Sequence, residues 1–158
     1  MEQRFETFTV LINRISRNIR KIKNQEMAAY ALRSVHVSCL YYLYTGEGLT
    51  ATELCERCEE DKATISRSLD YLESNGYLVC ESKNAKRYKS ALRLTDKGIG
   101  VAREIADKID RVLDEISTGL TEEERLALYR SLTIVSNSLD AVAQRIHDPV
   151  DHADAEGR

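Results

Sequence analysis

The sequence has few of the features that mark membrane or secreted proteins. Its longest apolar run covers residues 39–44, far short of the roughly 20 apolar residues that a membrane-spanning helix needs. The first residues, MEQRFETF, lack the apolar core of a signal peptide. The single proline, Pro149, follows nearly all of the chain and interrupts no helix before it. We therefore expect a cytoplasmic protein with long helices.

Signatures of catalysis are also missing. The chain has no glycine-rich phosphate loop, no nucleophile elbow and no cluster of metal-ligand residues. Its four cysteines, in a chain without a secretion signal, are typical of reduced thiols and not of a disulfide framework. We predict no enzymatic activity, no cofactor and no metal site.

What is present is a helical pattern. Hydrophobic residues make up 42% of the chain and charged residues 31%, which fits a helix-rich globular protein. Apolar residues recur at helical spacing in six segments. The segments are residues 5–23, 28–44, a short helix opening at Thr50, residues 62–75, a helix after Thr95 and a helix after Thr121.

Residues 49–98 carry the most information about function. Thr50 and Glu53 have the spacing of a capping box, so a short helix begins there. A tight turn and a longer helix follow, and Gly76 ends that helix. Residues 77–81 and 89–94 then form a β-hairpin. This order predicts a mainly α fold with a small β-hairpin wing (α+β), that is, a winged helix-turn-helix flanked by N- and C-terminal dimerisation helices.

The longer helix has the properties of a DNA-reading helix. With Ile65 at the centre of its buried face, Leu69 and Leu72 join it. The opposite face is small and polar around Arg67, which suits close approach to a groove and pairing with guanine. An ordinary solvated helix face would look similar. The residues of the exposed face are Ala63, Ser66, Arg67, Asp70 and Ser74, with Thr64 and Tyr71 at its edge and Lys62 at the helix N-terminus.

The hairpin is strongly basic although the whole chain carries a net charge of −3. Residues 81–93 include five basic side chains and only one acidic side chain, Glu81. A local basic patch on an acidic body limits binding to a defined site on DNA. A solvated hairpin tip explains the charge equally well.

The terminal helices predict a homodimer. Residues 1–28 and 96–147 form helices with apolar stripes that the winged region, residues 29–95, covers only in part. A second copy would bury the remainder, and paired DNA half-sites require two copies. A monomeric bundle is the alternative. Residues 148–158 are polar, and we predict a disordered tail.

The chain resembles the MarR family of transcriptional regulators in its LTATELCERC helix, its DKATISRSLDYLESNGYL segment and its wing closing on ALRLTDKG. The resemblance covers nearly the whole chain. It implies a homodimer that binds pseudo-palindromic double-stranded DNA, usually as a repressor. In many members a small aromatic effector releases the DNA, and in some members cysteine oxidation has a sensing role. A winged helix that binds protein instead of DNA is the competing interpretation.

The resemblance also implies which residues contact DNA. Ala63, Thr64, Ser66 and Arg67 match major-groove readers, and Arg87 matches the wing-tip arginine that enters the minor groove. Lys86 stands where the family often has aspartate, so the wing of this chain departs from the family pattern at that position. The full set of expected DNA contacts is Lys62, Ala63, Thr64, Ser66, Arg67, Lys86, Arg87 and Lys89.

Six further residues are candidates for regulation. Cys55 and Cys58 form a CxxC motif, which fits either core thiols, the favoured interpretation, or a redox sensor. Cys80, on the first wing strand, is a possible solvent-facing redox thiol, whereas Cys39 is expected in the core. His36 is either a hydrogen-bonded core histidine or, with Tyr30 or Tyr41, part of an effector pocket for an aromatic acid.

Overall fold

The computed structural model describes residues 6–80 and 90–147. The predicted tail and the wing tip with Lys86, Arg87 and Lys89 lie outside these residues. A π-helical turn, Glu6–Val10, precedes helix α1. The other elements, in chain order, are α1 Leu11–Glu26, a 3₁₀ turn Ala28–Tyr30, α2 Ser34–Thr45, α3 Ala51–Cys58, α4 Lys62–Ser74, β1 Leu78–Cys80, β2 Leu92–Leu94, α5 Asp96–Ser117 and α6 Glu122–His147.

The chain divides into two compact units, residues 1–111 and 112–158. The core belongs to the first unit, where α2, α3 and α4 pack on one another and on the two strands. Leu40, Leu54 and Ile65 are fully buried at its centre, and Ile105 of α5 is 1% exposed. The mainly helical fold with a β-hairpin is the predicted winged helix-turn-helix.

The prediction of a helix over residues 28–44 was wrong for its first residues. The chain makes a 3₁₀ turn over Ala28–Tyr30, and α2 begins only at Ser34. Ala31 adopts left-handed backbone angles, with φ 55°, which ends the turn. The break brings Met27 and Leu32, 1% and 3% exposed, into the core. Burial of these two side chains compensates for the interrupted helical hydrogen bonds.

The wing is an antiparallel pair in which Val79 lies opposite Arg93. Its described strands are shorter than predicted, because Tyr77, Ser90 and Ala91 lie outside the ladder. Tyr77 instead connects the wing to α5. Its carbonyl oxygen accepts hydrogen bonds from the Thr95 amide at 3.0 Å and the Thr95 hydroxyl at 3.2 Å. The hairpin base is therefore fixed to the start of α5.

Helices α1 and α6 expose large apolar side chains. In the first unit, the α1 face is exposed along Leu11, Ile12, Ile15 and Ile19. In the second unit, no described side chain of α6 is buried. The exposed apolar side chains of that helix are Leu126, Leu128, Tyr129, Leu132, Ile134, Leu139, Val142 and Ile146. Among the described residues, none of the helices is long and apolar enough to cross a membrane.

Candidate nucleic-acid interface

Helix α4 is fixed at its start by Asp61. The Asp61 carboxylate accepts hydrogen bonds from the Thr64 amide at 2.7 Å and from the Thr64 hydroxyl at 3.0 Å. These bonds hold the pKa of Asp61 below its ordinary value. An N-cap of this kind satisfies one of the free amides of the first helical turn. Since Asp61 occupies the Thr64 amide, that amide is not available to a DNA phosphate.

The two faces of α4 are those that the sequence predicted. Ile65, Leu69 and Leu72 are at most 2% exposed. Ala63 and Arg67 are exposed on the opposite side, and Thr64 and Ser66 are half-buried beside them. Sequence reasoning missed Ser68, which is buried and donates its hydroxyl proton to the Thr64 carbonyl at 2.8 Å.

Arg67 is held by the same network that caps the helix. Its Nη2 donates to Thr64 Oγ1 at 3.1 Å, and Thr64 Oγ1 donates in turn to Asp61. The guanidinium is therefore held against Thr64 in the first turn of α4, and it carries further N–H donors besides the one in this bond. A guanidinium so placed can donate to two acceptors of a base edge or of a phosphate.

His36 lines a cavity beside this face. The cavity, about 600 Å³, is bounded by Arg33 and His36 on one side and by Thr64, Arg67 and Tyr71 of α4 on the other. The rings of His36 and Tyr71 stack in parallel with their centroids 4.4 Å apart. His36 Nδ1 accepts the Arg33 amide at 3.1 Å. Burial, and secondly the charge of Arg33, lowers the pKa of His36, which favours a neutral imidazole.

The other two effector candidates do not line this cavity. The Tyr30 hydroxyl donates to Glu104 of α5 at 2.5 Å, a bond that raises the pKa of Tyr30. Tyr41 packs edge-on against Tyr42 with ring centroids 5.5 Å apart. The structure therefore does not bring the three candidates together around the His36 cavity. The Tyr71 hydroxyl, which sequence reasoning missed, donates to the Ala31 carbonyl at 3.0 Å.

The cysteines are arranged differently from the CxxC prediction. Cys39 is fully buried as expected, and its sulfur lies 4.0 Å from that of Cys58. Cys55 is half-buried, and burial raises the pKa of its thiol. The prediction that Cys80 faces solvent was wrong. Side chains alternate along β1, so Val79 is 52% exposed while Cys80 is 6% exposed and faces the core.

Comparison with known proteins points to one family. A family model described as MarR family matches residues 32–87, which include α2, α3, α4 and β1. The HTH-type transcriptional regulator BilQ of Clostridioides difficile (strain CD3) is 22% identical over 142 residues, covering 89% of this chain and 95% of BilQ.

Solved structures of the same class share the fold. The Staphylococcus aureus MepR–DNA complex has a TM-score of 0.75 and 23% identity, covering 85% of this chain and 97% of MepR. NMB1585, a MarR family regulator from Neisseria meningitidis, has a TM-score of 0.76 and 18% identity, covering 90% of this chain and 97% of NMB1585. A MarR family regulator from Silicibacter pomeroyi has a TM-score of 0.68 and 27% identity, covering 79% of this chain and 84% of that regulator. The fold is that of MarR-family winged-helix transcriptional regulators, and the chain is similar to this family in sequence over residues 32–87.

Proposed function

We propose that this protein is a homodimer that binds a pseudo-palindromic operator through α4 and the wing and represses transcription there. The observation that carries the proposal is the exposed face of α4. It combines short side chains at Ala63 and Ser66 with an arginine that Thr64 holds in place. Short side chains let the helix approach base edges, and the arginine supplies bidentate hydrogen bonds.

The wing supplies the second contact. Arg93 is exposed on β2 at the base of a hairpin whose sequence adds Lys86, Arg87 and Lys89 toward the tip. Basic side chains beside a groove-entering helix contact phosphates and fix its position on the duplex. The similarity in fold to MepR, whose DNA complex is known, supports this arrangement.

The exposed apolar helices support the homodimer. Ile15 and Ile19 of α1 are 46% and 50% exposed, and Ile134 and Ile146 of α6 are 60% and 76% exposed. Large apolar patches are rare on the surface of a monomer, and a second subunit commonly buries them. A twofold dimer would also present two copies of α4 to the two halves of an operator.

The assignment of Arg67 as a base-reading residue can be tested by substitution. We expect Arg67→Ala to cost about 1–3 kcal/mol of operator binding and to relax base preference at one position per half-site. Arg87→Ala should weaken binding to most sequences alike, because its proposed role does not depend on base identity in the major groove. Arg103→Ala, an exposed arginine of α5, is the matched control and should bind normally.

The measurement is anisotropy with an operator and with a set of single-base variants. Equal, sequence-blind losses for Arg67→Ala and Arg87→Ala would rule out Arg67 as a base reader. A reporter under the same operator should rise in the Arg67→Ala strain if the protein represses.

The cavity at His36 supports release by an aromatic acid. Its lining offers the stacked His36 and Tyr71 rings to an aromatic ligand and Arg33 and Arg67 to its carboxylate. A ligand paired with Arg67 would compete with DNA for that side chain. Calorimetry with salicylate should show binding to the wild type and to Tyr41→Phe, and loss of binding by His36→Ala. Unchanged binding by His36→Ala would remove this residue from the effector site.

A further inference from the structure

Two cysteines, Cys39 and Cys58, face each other across two helices. Cys58 is the last residue of α3, and Cys39 lies in the middle of α2. Their sulfur atoms are 4.0 Å apart, which is close to van der Waals contact. A disulfide requires about 2.05 Å between the sulfurs, so a displacement of about 2 Å would join them. No bond is present in this structure, since both thiols are free.

The two thiols differ in the way that a reactive pair requires. The contact with the Cys39 sulfur, and the nearby charge of Lys23, lower the pKa of Cys58 through a shared hydrogen bond and a favourable charge interaction. The same hydrogen bond, together with burial, raises the pKa of Cys39. Cys58, which lines an open cavity, is therefore the more accessible and more readily ionised thiol and is suited to react first, whereas Cys39 is fully buried. Cys55, one turn earlier on α3, lacks this arrangement, and burial raises the pKa of its thiol.

Cys58 can be reached from solvent. It lines an open cavity of about 220 Å³ whose wall also includes Arg20 and Lys23 of α1 and Glu60 of the turn before α4. Lys23 donates to the Ser38 hydroxyl at 3.0 Å, which holds its ammonium on this wall. A small peroxide fits such a space, while fully buried Cys39 is shielded until Cys58 has reacted.

We propose that Cys58 and Cys39 are a hydroperoxide-sensing pair that closes to an intrachain disulfide and thereby weakens operator binding. The second half of this statement rests on the proposed DNA-binding function. The site differs from the CxxC pair, because the partner of Cys58 is on α2 and not on its own helix.

The chemistry needs only a hydroperoxide as the oxidant. The Cys58 thiolate attacks one peroxide oxygen, the O–O bond breaks, and the alkoxide or hydroxide that leaves takes a proton from water. The resulting Cys58 sulfenic acid is attacked by the Cys39 sulfur. The S–S bond forms while the sulfenic hydroxyl leaves as water with the Cys39 proton. The two thiols together lose two electrons. An organic hydroperoxide is reduced to an alcohol and one water, and hydrogen peroxide is reduced to two waters.

The disulfide would act on the DNA-reading helix through the turn that precedes it. Glu59 follows Cys58 with left-handed backbone angles and ends α3. Asp61, two residues later, caps α4 and anchors the Thr64–Arg67 network. Drawing the end of α3 toward α2 shifts this short turn and with it the start of α4. Couplings between two such sites commonly change affinity by roughly 5–150-fold.

The direct test treats the reduced full-length protein with equimolar hydrogen peroxide and maps the disulfide by mass spectrometry. The expected product links Cys39 to Cys58 in the wild type, and also in the matched controls Cys55→Ser and Cys80→Ser. Cys58→Ser should form no intrachain disulfide. In Cys39→Ser, a dimedone label should accumulate on Cys58, since the sulfenic acid there has no partner.

The outcome that overturns the proposal is a different product. A disulfide through Cys55, or over-oxidation of Cys58 with Cys39 left as a free thiol, would exclude the pair. Dimedone labelling of Cys39 before Cys58 would also exclude the pair. Cys58 is half-exposed and serine is of similar size, so this variant should fold, and circular dichroism of the reduced protein checks that it does.

Operator binding gives the second readout. Oxidation should weaken operator binding of the wild type by roughly 5–150-fold, reversibly on addition of dithiothreitol, and should leave Cys58→Ser unaffected. An oxidised wild type that binds as tightly as the reduced form would overturn the regulatory claim. Failure of the reduced protein to bind any operator would instead count against the proposed function, while the disulfide map would still decide whether the pair exists.

Discussion

At the scale of single residues, Gly98 shows how a backbone contact constrains the sequence. It lies in the first turn of α5, and a Cβ atom built there would be 1.9 Å from the carbonyl oxygen of Tyr77. That carbonyl accepts the bonds from Thr95 that join wing and helix. Only glycine allows this close approach.

We therefore expect Gly98→Ala to lower the free energy of unfolding by roughly 1–3 kcal/mol, because the wing base or α5 must move. Gly100→Ala is the matched control, since a Cβ there meets nothing within 4 Å. It should be neutral or stabilising by up to about 1 kcal/mol, as alanine is the better helix former. Urea denaturation of both variants measures the difference. Equal effects would contradict the contact with Tyr77.

The sequence alone assigned no role to Gly98. The reason is that the contact joins residues 21 positions apart, and no local pattern encodes such a distance. The same limit applies to Cys39 and Cys58, whose sulfurs meet across two helices. A motif search finds the CxxC spacing of Cys55 and Cys58 but not the partner that Cys58 contacts.

At the scale of elements, local signals predicted most of the fold. Thr50 and Glu53 form the predicted capping box, with the Thr50 amide donating to Glu53 at 2.7 Å. Thr121 and Glu124 form the second, at 2.8 Å. Both boxes involve residues three apart, so the sequence contains all the information they need.

The start of α2 was missed for the opposite reason. Residues 28–33 have good helix formers, yet the core takes Met27 and Leu32 from either side of Ala31. Tertiary burial outweighs a helical propensity worth only tenths of a kilocalorie per residue. After the break, Arg33 and His36 line the cavity beside α4.

At the scale of the whole molecule, the distribution of charge matters more than its sum. Residues 96–158 contain fourteen acidic and eight basic side chains, whereas residues 81–93 contain five basic and one acidic. The acidic region opposes indiscriminate attraction to DNA, whereas the basic hairpin attracts DNA at one place on the protein. Sequence composition alone identified this contrast. The exposure of the α1 and α6 apolar faces needed the structure.

The central claim is that two chains bind one specific duplex. The most direct measurement is fluorescence anisotropy of labelled DNA from upstream of the protein's own gene, with excess non-specific competitor, at several salt concentrations. We predict saturation at two chains per duplex and an affinity that falls steeply with salt, because each neutralised phosphate adds about −0.9 to the log–log slope. Binding that the competitor abolishes at every salt concentration, or no binding at all, would contradict the account and favour a winged helix that binds protein.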